Sequence, residues 1–164
     1  MKKAVASLLS LTLAGCSIVI GGRPDACGEY PQDGGPAVIS TRDQELCEVV
    51  RLRIGNGLAS LPELPQARLD ELLERTRSWE SIRTMDRLVE TLRDEAGLGF
   101  AVDVQRAVAA VAAQSSRPLT PECEAEQERC MVRGAVRGIR IALLNAQPVE
   151  KPGEPAPSPK PDVY

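Results

Sequence analysis

The sequence predicts an all-α fold, a small bundle of four or five helices stapled by disulfides. Three observations predict it. Apolar residues recur every three or four positions through most of residues 41–146, and no stretch reads as a convincing strand. Each periodic stretch is bounded by capping residues, glycines or prolines where helices start and stop. Cys27, Cys47, Cys123 and Cys130 form an even set, which in an exported chain reads as two disulfides. A Gly/Pro-rich N-terminal tether and a Pro-rich C-terminal tail flank the bundle.

Export is written in the first residues. Met1-Lys2-Lys3 is a short positive start, and Ala4 to Thr12 is almost wholly apolar or small. This apolar stretch is far shorter than the roughly 20 residues a membrane-spanning helix needs. A charged start, a short apolar run and small residues at its end mark a cleaved secretory signal, here residues 1–15. The four residues Leu13-Ala14-Gly15-Cys16 resemble the lipobox of bacterial lipoproteins at every position. The resemblance covers the first 16 residues only. It implies diacylglycerol on the Cys16 sulfur, cleavage before Cys16, and acylation of the new N-terminus, for example with palmitate. Two or more acyl chains hold a protein firmly to a membrane where one does not. By analogy with enteric lipoproteins, Ser17 rather than Asp after the cysteine implies the outer membrane, with the protein facing the periplasm.

Residues 16–40 follow as the lipidated tether. Gly21, Gly22, Gly28, Gly34, Gly35, Pro24, Pro31 and Pro36 preclude a regular helix there. The helical domain spans 41–146. Thr41-Arg42-Asp43-Gln44 matches a capping box, and Leu46, Cys47, Val50, Ile54 and Leu58 follow at helical spacing until Pro62. From Pro65 to Ala96 a long amphipathic stretch carries Leu69, Leu72, Thr76, Trp79, Ile82, Val89 and Leu92 on one side and charge on the other. It reads as one helix or two, with Ser78 and Ser81 as caps for a break after Arg77. Gly97 and Gly99 end it. Phe100 to Gln114 is the next helix, broken by Ser115-Ser116-Arg117-Pro118. Thr120-Pro121-Glu122 then opens a last helix running to about Leu144. Gly134 and Gly138 lie one turn apart inside it. Glu126, Glu128, Arg129, Arg133, Arg137 and Arg140 preclude a membrane span, so the glycine pair points to close packing on a neighbouring helix. Residues 147–164 hold six of the 13 prolines and read as a disordered, extended tail.

The cysteine spacing constrains the pairing. On one continuous helix Cys123 and Cys130 stand about 10 Å apart at 1.5 Å per residue, beyond the roughly 7 Å that a disulfide tolerates. Each must then bond Cys27 or Cys47. An antiparallel arrangement of first and last helices favours Cys47–Cys123 and Cys27–Cys130, and a parallel one exchanges the partners. A four-thiolate zinc site is the alternative, disfavoured because the chain has no C-x-x-C pair.

Little in the chain points to catalysis. It has no histidine, which removes Ser-His-Asp and Cys-His catalysis and histidine-based zinc sites. It also lacks a glycine-rich phosphate loop. No catalytic residue, metal ligand or small-molecule cofactor is assigned. Trp79-Glu80-Ser81 shares a Glu-Ser pair with lytic transglycosylases, a match two residues long. Removing residues 1–15 takes two lysines from 20 basic residues and leaves the 23 acidic ones, so the mature chain is five negative. That balance disfavours nucleic acid as a partner. The expected function is a lipid-anchored, non-catalytic accessory or adaptor protein of the cell envelope, as pilotins and outer-membrane spanins are. Such a protein binds the membrane through its lipid and a protein partner through its helices. The alternative is a periplasmic immunity or inhibitor protein against a toxin or wall hydrolase. A cell-wall-active enzyme ranks third.

Overall fold

The computed structural model describes residues 26–61 and 64–146. The signal segment, Cys16, Pro62 and the Pro-rich tail lie outside the described residues. Five α-helices follow one another, and among the described residues the only β-pairing is an antiparallel bridge between Glu29 and Val38. No helix among them is long and apolar enough to cross a membrane.

Helix α1 (Arg42–Ala59) starts where the Thr41-to-Gln44 pattern predicts. The Gln44 side-chain oxygen accepts from the Thr41 amide at 3.1 Å and from the Ser40 amide at 3.0 Å. The long amphipathic stretch divides into α2 (Gln66–Trp79) and α3 (Met85–Glu95). The break falls after Trp79 rather than Arg77, and Thr84 caps α3 by accepting from the Arg87 amide at 3.4 Å. The Ser78 and Ser81 hydroxyls instead donate back to the carbonyls of Arg75 and Ser78, at 2.8 and 2.7 Å. That local bond competes with capping wherever a serine sits in a last turn. Gly97 adopts φ +107°, a conformation few other residues tolerate, and lets α4 (Leu98–Gln114) begin at once. Gly99, expected to help end the preceding helix, therefore lies inside the first turn of α4.

The last start signal is used differently from the expectation. Thr120-Pro121-Glu122 opens only a single 3-10 turn, Pro121–Cys123. Helix α5 begins later and spans Gln127–Ala146. It is the central element, packing on α1, α2 and α3. Its buried residues include Val132, Val136, Ile139 and Leu143, which meet Leu46, Val50, Leu72, Trp79, Leu88 and Leu92 in one core. The Trp79 indole is 1% exposed, and its N–H donates to Glu95 Oε2 at 2.8 Å, so its polar edge is satisfied inside the core.

Helices α1 and α5 run parallel. A Cβ on Gly134 would stand 2.5 Å from the Asp43 carbonyl oxygen, and one on Gly138 would stand 2.3 Å from that of Cys47. The last turns of both helices then share a hollow lined by Leu58, Ala59, Asn145 and Ala146. The glycine pair thus packs against a neighbouring helix as expected, but the antiparallel arrangement is wrong. Helix α4 runs opposite to α1. Ser115 at its C-terminal end bonds Glu45, and Asp103 nearer its start faces Gly57.

The disulfide pairing also corrects the expectation. Cys27 bonds Cys47 and Cys123 bonds Cys130, each with α-carbons 5.6 Å apart. Neither Cys47–Cys123 nor Cys27–Cys130 forms. A Cys123–Cys130 bond is out of reach only when one continuous helix runs through both. Cys123 instead sits in the 3-10 turn, its amide donating to the Thr120 carbonyl at 2.8 Å, and the chain bends before α5. The first bond ties the N-terminal segment to α1, and the second closes the lead-in to α5. By loop-closure entropy they contribute about 3 and about 2 kcal/mol.

Two measurements check this architecture. A non-reducing tryptic digest should link residues 43–51 to the peptide ending at Arg42, and residues 107–129 to residues 130–133. A link between 43–51 and 107–129 would contradict the fold. Gly138→Ala should destabilise the domain by about 1–3 kcal/mol through overpacking. Gly55→Ala, where nothing lies within 4 Å of the new Cβ, should stabilise it by up to about 1 kcal/mol through helix propensity. Urea unfolding of the oxidised protein reads both.

Candidate functional site

The face of α5 that does not enter the core carries its charge. Arg129, Arg133, Arg137 and Arg140 follow at spacings of four, four and three residues, which puts them on one side of the helix. From residue 129 to residue 146 there is no acidic side chain. The four arginines line a groove of about 760 Å³. Glu80, just past the end of α2, forms one edge, and Leu144 supplies apolar surface at the far end, beside the buried Ile141.

Ion pairing divides these arginines, as it divides those of the other helices, where Arg53, Arg93 and Arg106 also meet no carboxylate at ion-pair distance among the described residues. On α1, α2 and α3, Arg51, Arg68, Arg77 and Arg87 each meet a glutamate three residues away. In the groove Arg129 pairs with Glu126 at 2.8 Å, and Arg140 pairs with Glu80 at 3.5 Å. Arg133 and Arg137 are exposed and meet no carboxylate at ion-pair distance among the described residues. Two adjacent guanidinium groups thus face solvent at the middle of the stripe. Such a row is a ready acceptor for carboxylate or phosphate.

A second cavity, of about 330 Å³, lies beneath the segment that precedes α1. Tyr30, Ile39, Glu48, Arg51 and Ile141 line it, beside the Cys27–Cys47 bond. Glu48 accepts from Arg51 Nε at 2.8 Å and also from its Nη2, a two-pronged pairing. That hydrogen bonding to Glu48 raises the Arg51 pKa above its ordinary value. On the exposed side of α2, Arg68 donates to Glu71 at 2.6 Å and holds its carboxyl below the usual carboxylate range.

The residues singled out in the sequence are dispersed. The four disulfide cysteines are buried. Trp79 belongs to the core, whereas Glu80 reaches the groove edge, so the Trp-Glu-Ser run contributes its members to different environments. Among the described residues no group of three or more Cys, Asp or Glu is arranged to hold a metal ion. The arginine stripe is present in the sequence, where it serves only as a bar to membrane insertion. Its signal is the regular spacing together with the absence of acids through residues 129–146. No family model, curated protein or solved structure matches the chain.

Chemical modification reads this geometry directly. In a limited phenylglyoxal reaction, Arg133 and Arg137 should be labelled ahead of Arg51, whose guanidinium is engaged by Glu48. Peptide mass mapping checks the order. Arg133→Glu with Arg137→Glu should change stability by no more than about 0.5 kcal/mol per site, as exposed substitutions do.

Proposed function

We propose that the chain is a lipid-anchored, non-catalytic adaptor of the bacterial cell envelope. Cys16 holds it at the outer membrane, facing the periplasm, and its helical domain docks a protein partner. The observation that carries this reading is the open arginine groove on α5, a basic surface on a chain that is otherwise acidic. The lipobox residues 13–16 supply the address. The chemistry of the cavity beside Arg51 and of the α5 groove favours binding over hydrolysis. A glycosidase-type engine needs two carboxylates flanking a cleft, whereas the described cavity and groove each present one. Glu48 is engaged by Arg51, and Glu80 is paired with Arg140.

One observation favours the inhibitor reading. The segment before α1 carries an exposed turn at Gln32, Asp33 and Gly34, held by the Glu29–Val38 bridge and by the Cys27–Cys47 bond. A braced loop of that kind suits insertion into an enzyme cleft.

Crosslinked envelope membranes separate the two. The natural protein should recover one envelope protein strongly, and a Cys16→Ser variant should lose or mislocalise it. Equal recovery with both forms, of a toxin or wall hydrolase, would overturn the adaptor reading in favour of the inhibitor.

A further inference from the structure

The stripe and its surroundings define what the groove takes. We infer that the α5 groove binds an acidic amphipathic helix of a protein partner, one with carboxylates a turn apart and an apolar residue beyond them. This inference rests on the adaptor reading and names the chemistry of its partner.

Pitch favours such a ligand. Arg129 to Arg140 covers about 16 Å at 1.5 Å per residue, with one guanidinium per turn. A second helix with glutamates or aspartates at spacings of three and four repeats its carboxylates at the same interval. Laid along α5, it meets all four arginines without distortion.

Charge favours it as well. Arg133 and Arg137, at the centre, meet no carboxylate at ion-pair distance among the described residues. Arg129 and Arg140, at the two ends, keep theirs, so the attraction is greatest midway along the groove. Glu80 at the edge is paired with Arg140, so the surface left open to an anion is a narrow strip at Arg133 and Arg137. That narrowness disfavours a sheet of lipid phosphates and favours a rod.

The apolar end narrows the choice again. Leu144, 37% exposed, continues the groove past the last arginine, beside the buried Ile141. A polyphosphate or a purely acidic polymer leaves this surface in water. An amphipathic helix covers it with one apolar side chain, the usual way such helices dock in grooves. From Arg129 to Leu144 the seat is about 22 Å long, four turns of partner helix.

The test uses the full lipidated chain in non-ionic detergent and a fluorescent 17-residue helical peptide. The peptide carries glutamates at three- and four-residue spacing on one face and a leucine one turn beyond. A second peptide of identical composition spreads the glutamates around the helix. Fluorescence anisotropy should show the first peptide binding at least fivefold more tightly than the second. Arg133→Glu with Arg137→Glu should weaken the first at least tenfold. Arg87→Glu with Arg93→Glu, which makes the same change in net charge on α3, should leave it within twofold. Thermal unfolding of each variant confirms that it remains folded. Equal binding by all variants, no preference between peptides, or no binding overturns the inference. So does recruitment of the chain to phosphatidylglycerol vesicles through Arg133 and Arg137 when the peptide does not bind. The adaptor reading fails separately, when the natural and Cys16→Ser forms recover a toxin or wall hydrolase equally. If the crosslinked partner is recovered normally by the Arg133→Glu, Arg137→Glu variant, the adaptor stands and the groove is not its docking site.

Discussion

Everything in the fold leans on the approach of α1 to α5 at Gly134 and Gly138. At these two positions helix backbone meets helix backbone, with the carbonyls of Asp43 and Cys47 in the space a side chain would fill. Close approach brings the buried rows of the two helices into register, so that Leu46 and Val50 enter the same core as Val136 and Ile139. Neither disulfide links these helices, since one bond ties the N-terminal segment to α1 and the other ties the 3-10 turn to the first turn of α5. Among the described residues no hydrogen bond or ion pair joins α1 to α5, and packing holds the parallel pair. Its strength therefore depends on shape at two residues that contribute no side chain.

That contact also explains how α5 serves two purposes. One side is committed to glycine and aliphatic packing, and ten of its 20 residues are buried. The remaining stripe is narrow, and arginine fills it. Because glycines draw α5 tightly against α1, the helix is fixed along its length, and so are the points from which the arginine side chains project. A row of charges on a mobile helix would present a blurred field. On this helix the guanidinium groups start from a rigid base, and only their side chains must be ordered when a ligand arrives.

The parts of the fold legible in the sequence were those set by local chemistry. Thr41 with Gln44 marked the start of α1, Gly97 marked the end of the stretch before α4, and the Gly134–Gly138 spacing marked a helix contact. What escaped was set by contacts distant in sequence, or by a choice between equal local options. Thr120-Pro121-Glu122 is as good an opening for one 3-10 turn as for a long helix, and that ambiguity reversed the disulfide pairing. The direction of α5 relative to α1 is invisible in periodicity, because parallel and antiparallel helices bury the same stripe. The break between α2 and α3 fell two residues late because the Ser78 and Ser81 hydroxyls turned back on their own helix. The candidate site was half legible. The arginine spacing was plain, but that Glu80 and Glu126 engage Arg140 and Arg129 and leave Arg133 and Arg137 open required the fold.

The Cys27–Cys47 bond has a mechanical meaning. Under the anchored reading, drag between membrane and partner reaches the domain as tension along the chain upstream of Cys27. A covalent bridge carries that load straight to Cys47, well inside α1. Residues 28–46 are shunted out of the load path. The Glu29–Val38 bridge and the first turn of α1 would otherwise be peeled open one hydrogen bond at a time, as weakly held chain ends are. At Cys47 the force instead meets a residue 1% exposed, with the Gly138 backbone pressed against its carbonyl. Pulling there must shear α1 along α5 as a unit, the harder mode of failure, and the domain keeps its shape while its tether is taut.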